Sequence, residues 1–240
     1  CGAARADVHW PPDGQLPDGI PRGLAGYAAD RAVVDAVATL PLAEADFVFV
    51  QIDEVDGVRH AFGASSGEAA DQCRRTDAAL GEVLDLLAER WDDTVVFAVS
   101  DHDQEDVADE APIDLNAHVP GGAEVQNQGT AALVVGAIDI AALRSVEGVE
   151  GVERLTHDHH VVWGGPGRTF GSAPSGLAGD HGSPRTRTQV AVVGGGHPRV
   201  VELAAAVGSE RPAATSWASR AAELIGLRWR PGASVDVTAS

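Results

Sequence analysis

Residues 47–52 (Phe-Val-Phe-Val-Gln-Ile) and 94–99 (Thr-Val-Val-Phe-Ala-Val) are short aromatic and β-branched runs, and residues 67–91 between them carry apolar side chains at helical spacing. A buried strand, an amphipathic helix and a second buried strand in succession have few ways to bury their apolar faces together. Connection rules favour a βαβ unit in a largely parallel sheet. Residues 30–40 place Val33, Val34, Ala36, Val37 and Leu40 on a further helix. Strands are expected at 130–135 and 189–193, a short helix at 138–146, and a closing helix over 217–227, capped by Thr215-Ser216 and stopped by Pro231-Gly232. Residues 10–26 and 164–188 are rich in Gly and Pro and read as irregular, the second suiting an active-site loop. The expected fold class is α/β, an α/β/α sandwich around a mostly parallel central sheet. Residues 1–29 form an irregular lead-in, residues 30–240 the domain, and about 104–188 a cap or active-site loop region.

At 240 residues the chain has ample length for one core, and 44% hydrophobic content excludes disorder. A formal charge of −19, with every basic residue Arg and no Lys, argues against an extended nucleic-acid partner. The longest apolar runs, such as residues 130–140, fall short of the ~20 residues needed to span a bilayer. Two cysteines, one at position 1, make no disulfide framework. Cys1-Gly2-Ala3 is compatible with a lipidated N-terminus, but the absence of Met and the site chemistry favour a truncated fragment. The compartment is not readable from the chain.

Three clusters place Asp and His beside expected strands, where α/β sheets carry their ligand sites. They are residues 53–63, containing Asp53, Asp56 and His60; Ser100-Asp101-His102-Asp103; and Gly179-Asp180-His181-Gly182-Ser183-Pro184. Carboxylate oxygens and neutral imidazoles are ligands that zinc and similar divalent ions accept. Each cluster alone has an ordinary explanation. Asp-His after a strand is commonly a solvated turn, Asp56 and His60 could be a surface pair four apart on a helix, and His181 could punctuate a turn. Thr156-His157-Asp158-His159-His160 is dense in ligands, but His159 and His160 point oppositely if extended, so a loop or cap segment is the favoured reading. Gly194-Gly195-Gly196-His197 lacks the helix and spacing of a phosphate loop, and a glycine turn is favoured.

The order of these motifs resembles the alkaline phosphatase superfamily, most closely its type I phosphodiesterase/nucleotide pyrophosphatase branch, over roughly residues 45–230. That branch has a strand followed by Asp-x-x-Gly-His-x-x-Gly, matched by Asp56 to Gly63 except that Arg59 stands for the first Gly. Asp77-Ala78-Ala79-Leu80-Gly81 resembles its following helix. Ser100-Asp101-His102 matches its Ser/Thr-Asp-His-Gly-Met, with Asp103-Gln104 in place of Gly-Met, and His181-Gly182 matches its late His-Gly. The resemblance implies an alkaline phosphatase-like fold and two divalent ions, zinc first and manganese an alternative. One ion would be held by Asp56, His60 and His181, and the other by Asp101 and His102. It implies a Thr or Ser nucleophile that attacks phosphorus and forms a covalent phospho-enzyme. That nucleophile and a further Asp should lie upstream of the first motif. No Ser precedes Asp53 and the sole Thr there, Thr39, falls in an expected helix, so the N-terminal strand and nucleophile are expected to be absent. Asp7 follows no apolar strand and is left unassigned. The expected function is a metal-dependent phosphoesterase acting on a small phosphodiester, pyrophosphate or phosphomonoester, inactive as this chain alone. The alternatives are a non-catalytic metal-binding or interaction domain of the same fold, or a sulfatase or phosphomutase relative.

Overall fold

The computed structural model describes residues 22–210 and 216–227. Cys1, Asp7, Thr215 and Pro231-Gly232, and most of the expected irregular lead-in, lie outside them. Leu24–Gly26 is a short 3-10 turn, followed by helix α1 (Asp30–Ala38), which presents Val34 and Val37 to Val83 of helix α3 (Gly67–Asp85). Between them lies helix α2 (Glu54–Phe62). Residues 53–63 therefore form a helix with its cap residue, not the loop expected after a strand.

The first residues of α1 and α2 satisfy each other's exposed amides. The Asp30 N–H donates to Glu54 Oε2 at 2.7 Å, and the Glu54 N–H donates to Asp30 Oδ1 at 3.3 Å. Helix N-termini leave such donors orphaned and favour negative charge, so each carboxylate caps its neighbour. The other Asp30 oxygen accepts from Gln72 Nε2 at 3.1 Å and from the Thr76 hydroxyl, both on α3. Asp30 is only 4% exposed. One buried carboxylate thus fixes three helices.

Ser66 begins α3 by accepting from the Ala69 N–H at 3.0 Å. The helix expected to run to residue 91 ends at Asp85, and Ala88–Asp93 continues as a 3-10 helix. That turn brings Arg90 Nη1 within 3.0–3.1 Å of the carbonyls of Leu42, Ala43 and Ala45. The chain exchanges a last α turn for three bonds to otherwise open carbonyls.

The described strands form three sheets. Strand β1 (Val96–Val99) pairs with β8 (Ala191–Gly194), and β2 (Glu105–Asp106) pairs with β7 (Gly179–Asp180). Strands β3 (Glu124–Gln128), β4 (Ala131–Val135), β5 (Val149–Arg154) and β6 (His159–Gly164) make a four-stranded sheet in the order β3-β4-β6-β5. Helix α4 (Ile140–Arg144), capped by the Asp139 carboxylate, inserts Leu143 into the core of that sheet beside Val134, Val152 and Val162. Helices α5 (Val200–Glu210) and α6 (Ser216–Leu224) close the chain, with the Trp217 ring 5.8 Å from that of Phe97 on β1.

The mixture of helices and sheets is the expected α/β class, but two details differ. Every ladder among the described residues is antiparallel. Residues 47–52 have no regular secondary structure and belong to no ladder, and Phe47 and Phe49 are 57% and 75% exposed. Apolar composition favours a strand, but a ladder needs a partner, and this run pairs with none among the described residues.

Removing the Asp30 carboxylate takes an acceptor from the Glu54 N–H, the Thr76 hydroxyl and Gln72 Nε2, of which Gln72 keeps a bond to Thr76 Oγ1. Asp30→Ala should therefore lower unfolding free energy by about 3 kcal/mol in urea titration, whereas Asp30→Asn, which keeps an acceptor, should lose less.

Candidate metal centre

Helix α2 places Asp56 in its first turn and His60 one turn later, so both side chains share a face. His60 Nε2 lies 3.5 Å from Asp56 Oδ2. Its Nδ1 is 2.8 Å from the Gly179 carbonyl oxygen, which can only accept. A hydrogen therefore sits on Nδ1, and Nε2 is the ring nitrogen that faces Asp56. That is the tautomer a metal-binding imidazole needs, fixed by its other nitrogen.

His181 arrives from the far side of the sequence. Its Nε2 is 4.0 Å from Asp56 Oδ1, and its ring lies 5.2 Å from that of His60 and stacks on His102 at 3.8 Å. The turn between β3 and β4 holds it there. The Thr130 N–H donates to the His181 carbonyl at 2.8 Å, and Thr130 Oγ1 accepts from the Ser183 N–H at 3.0 Å. Gly129 has a positive φ of 63°, and a Cβ there would sit 2.5 Å from the His181 carbonyl. Only glycine permits that approach.

His102 lies on the loop after β1. Its Nδ1 donates to the Asp103 carbonyl at 3.1 Å, which again leaves Nε2 as the ring nitrogen turned away from the backbone. Asp56, His102 and His181 have ligand atoms within 4.8 Å of one another, as do His60, Asp180 and His181. Of the five residues singled out from sequence, the structure thus gathers Asp56, His60, His102 and His181. The fifth, Asp101, has an oxygen 3.4 Å from His102 Nε2, but its side chain is 85% exposed and belongs to neither group.

Three residues that motif reading left unassigned also meet here. Tyr27 hydrogen-bonds Asp56, and burial and then the Asp56 charge push its phenol up to about 12. Gln104 Nε2 donates to the Asp56 carboxylate and, at 3.4 Å, to its carbonyl. Asp180 is buried and accepts from the His181 N–H at 2.9 Å. Only Asp180 had a sequence signal, its place beside His181. Burial raises the Asp53 carboxyl, and the Asp56 and Asp101 charges add to this against a lowering bond from Gln51. Burial and the neighbouring His102 push the His181 imidazole down, towards the neutral form that binds metals. Carboxylates beside imidazoles form a donor set suited to zinc.

The remaining candidate motifs do not join the site. His157 is exposed, Asp158 pairs with His159 at 2.8 Å, and His160 turns into the sheet core, as alternation along β6 demands. Residues 195–197 form a turn after β8, with Gly195 at φ 117°. Thr39 closes α1 by donating to the Ala36 carbonyl.

The elements define the class first: an α/β protein. The family model for type I phosphodiesterase / nucleotide pyrophosphatase matches residues 20–162. That is more than half of the chain, and the chain belongs to this family. The match ends before His181, which rests on the late His-Gly motif and on its geometry. The chain resembles murine ectonucleotide pyrophosphatase / phosphodiesterase 5 with a TM-score of 0.56 and 17% identity, covering 79% of this chain and 59% of that one. For an inactive variant of that murine protein, solved in complex with AMP, the TM-score is 0.62 with 15% identity, covering 93% and 67%. At these identities the likeness is one of fold. No curated protein matches the chain.

Glu105 anchors the segment following His181. It accepts from Ser183 Oγ at 2.5 Å, Arg185 Nε at 2.9 Å and the Gly167 N–H at 3.0 Å. Burial alone would raise its carboxyl, but these donors outweigh it and hold the group below the usual range. A carboxylate lowered in the folded state stabilises above its unfolded pKa and ceases to do so as pH falls through the folded value. Glu105→Gln should therefore be about 1–3 kcal/mol less stable near pH 7, and the gap should close as denaturation is repeated below pH 4.

Proposed function

We propose that the chain carries the metal-binding part of a phosphoesterase site that acts on a small phosphodiester or pyrophosphate, a nucleotide included. The observation that supports this best is that Asp56, His102 and His181, and His60, Asp180 and His181, drawn from three distant segments, form two groups of close ligand atoms that share His181. In this reading Asp56, His60 and His181 hold one divalent ion, zinc foremost and manganese an alternative, and His102 with Asp101 holds the second. Such a pair of ions supplies positive charge to the oxygens of a phosphoryl group and reverses the local field of an acidic protein. The murine relative solved with AMP supports the choice of a nucleotide-sized phosphate ester.

The chain's own residues prepare the site. The Gly179 and Asp103 carbonyls set two imidazole tautomers, Tyr27 and Gln104 orient Asp56, and the β3–β4 turn fixes His181. Residues 104–188, which contain the four-stranded sheet, act as the cap over this face.

No hydroxyl nucleophile is assigned among the described residues. Thr39 is bonded within α1, Ser100 Oγ accepts from the Val190 N–H, and the Thr186 hydroxyl is buried against the Ser183 carbonyl. These commitments favour a second reading, a metal-binding domain of the family fold without turnover by itself. The chain is expected to bind zinc and to hydrolyse little bis-p-nitrophenyl phosphate or p-nitrophenyl phosphate in Zn²⁺ or Mn²⁺. His60→Ala should weaken zinc binding at least ~10-fold in calorimetric titration. Robust hydrolysis abolished by His60→Ala would show that a nucleophile is present after all, and absence of zinc binding would remove the metal centre.

A further inference from the structure

The two places where the metal-binding motifs depart from the family pattern touch each other. Arg59 stands where the first motif has Gly before its His, and Asp103 stands where the second has Gly after its His. They are 44 residues apart in sequence, yet Arg59 Nη1 donates to Asp103 Oδ1 at 2.7 Å. Neither residue is a metal ligand. Each adjoins one: Arg59 precedes His60 on α2, and Asp103 follows His102 on its loop.

The ion pair is half-buried, with side chains 26% and 47% exposed. The Arg59 Nε is buried without a partner, so the guanidinium is held from its outer end. Asp103 is fixed at several points. Its Oδ1 accepts from the Gln104 N–H at 2.9 Å, its N–H donates to the Thr186 carbonyl at 2.8 Å, and its own carbonyl accepts from His102 Nδ1 at 3.1 Å. A pull on the Asp103 side chain is therefore a pull on the group that sets the His102 ring. The next residue, Gln104, reaches back to Asp56 one turn earlier on α2. Residues 103 and 104 thus lie along α2 with two links, 103 to 59 and 104 to 56.

We infer that Arg59 and Asp103 are one positioning device, a charged clamp that replaces two glycines and sets the spacing between the Asp56/His60 half and the His102 half of the centre. This rests on the metal-centre reading above. Two glycines would let the backbones approach by lacking side chains, whereas a long cation and a short anion hold them at a defined separation. The two substitutions make sense only together. Arg59 alone would bring an uncompensated charge against the cation site, and Asp103 alone would leave a carboxylate beside His102 with no counter-charge.

The test is a double-mutant cycle on zinc affinity, with the Co²⁺ visible spectrum and Tm recorded for every variant. Arg59→Ala and Asp103→Ala should each weaken zinc binding about 10-fold and alter the Co²⁺ spectrum. The Arg59→Gly/Asp103→Gly pair should lose far less than the product of the single effects, because removing both charges leaves neither unpaired. The exchanged pair, Arg59→Asp with Asp103→Arg, should recover affinity relative to either single reversal even if the single variants fold poorly. Losses that simply multiply would overturn the proposal. So would a fall in Tm with zinc affinity and the Co²⁺ spectrum left at wild-type values, since the pair would then be a fold contact. A wild-type chain that binds no zinc would instead remove the metal-centre reading, and the clamp with it.

Discussion

The reciprocal capping of Asp30 and Glu54 decides where α2 begins, and everything at the centre is measured from that point. Asp56 and His60 share a face because both lie on this helix, and the helix starts where an opposing carboxylate meets its first amide. The same Asp30 receives Gln72 and Thr76 from α3, so the small core of Val34, Val37 and Val83 and the register of α2 are set together. A buried carboxylate without these donors would be costly; with them it specifies one arrangement of three helices.

The second half of the centre depends on a different region. His181 follows β7 and is held from behind by the β3–β4 turn, where Gly129 allows the backbone to come close and Thr130 bonds on both sides of Gly182. Glu105, on the strand paired with β7, gathers Ser183, Arg185 and Gly167 around the same segment. The four-stranded sheet therefore buttresses a ligand-bearing loop. The helical face with Asp56 and His60 and the loop face with His102 and His181 are built by separate cores and meet across hydrogen bonds, Gly179 to His60 and Gln104 to Asp56 among them.

Local patterns in the sequence announced what local physics controls. The helices over residues 30–38 and 67–85 follow from apolar spacing and, for α3, a serine cap, and the order of Asp56, His60, His102 and His181 identified the cluster that the chain brings together. Residues 47–52 show the limit of such reading. Their composition favours a strand, but burial and pairing belong to a neighbour that these six residues do not encode. Helix α2 was hidden because Gly57 and its charged positions blur the apolar stripe, although the four-residue step from Asp56 to His60 was its trace. Strands β3 and β5 are too polar for a burial pattern to mark them, and the parts played by Tyr27 and Gln104 arise from contacts distant in sequence.

The central claim is that the four gathered side chains line a metal centre of one or two ions and that the denser His-rich segment at 156–160 does not. Anomalous diffraction at the zinc edge from crystals of the 240-residue chain, grown with one or two equivalents of zinc, reads this directly. The account predicts an anomalous peak between Asp56, His60 and His181, with ligand distances of about 2.0–2.2 Å, and a second peak, where present, beside His102. A peak at His157 or His159 with none beside Asp56 would contradict it.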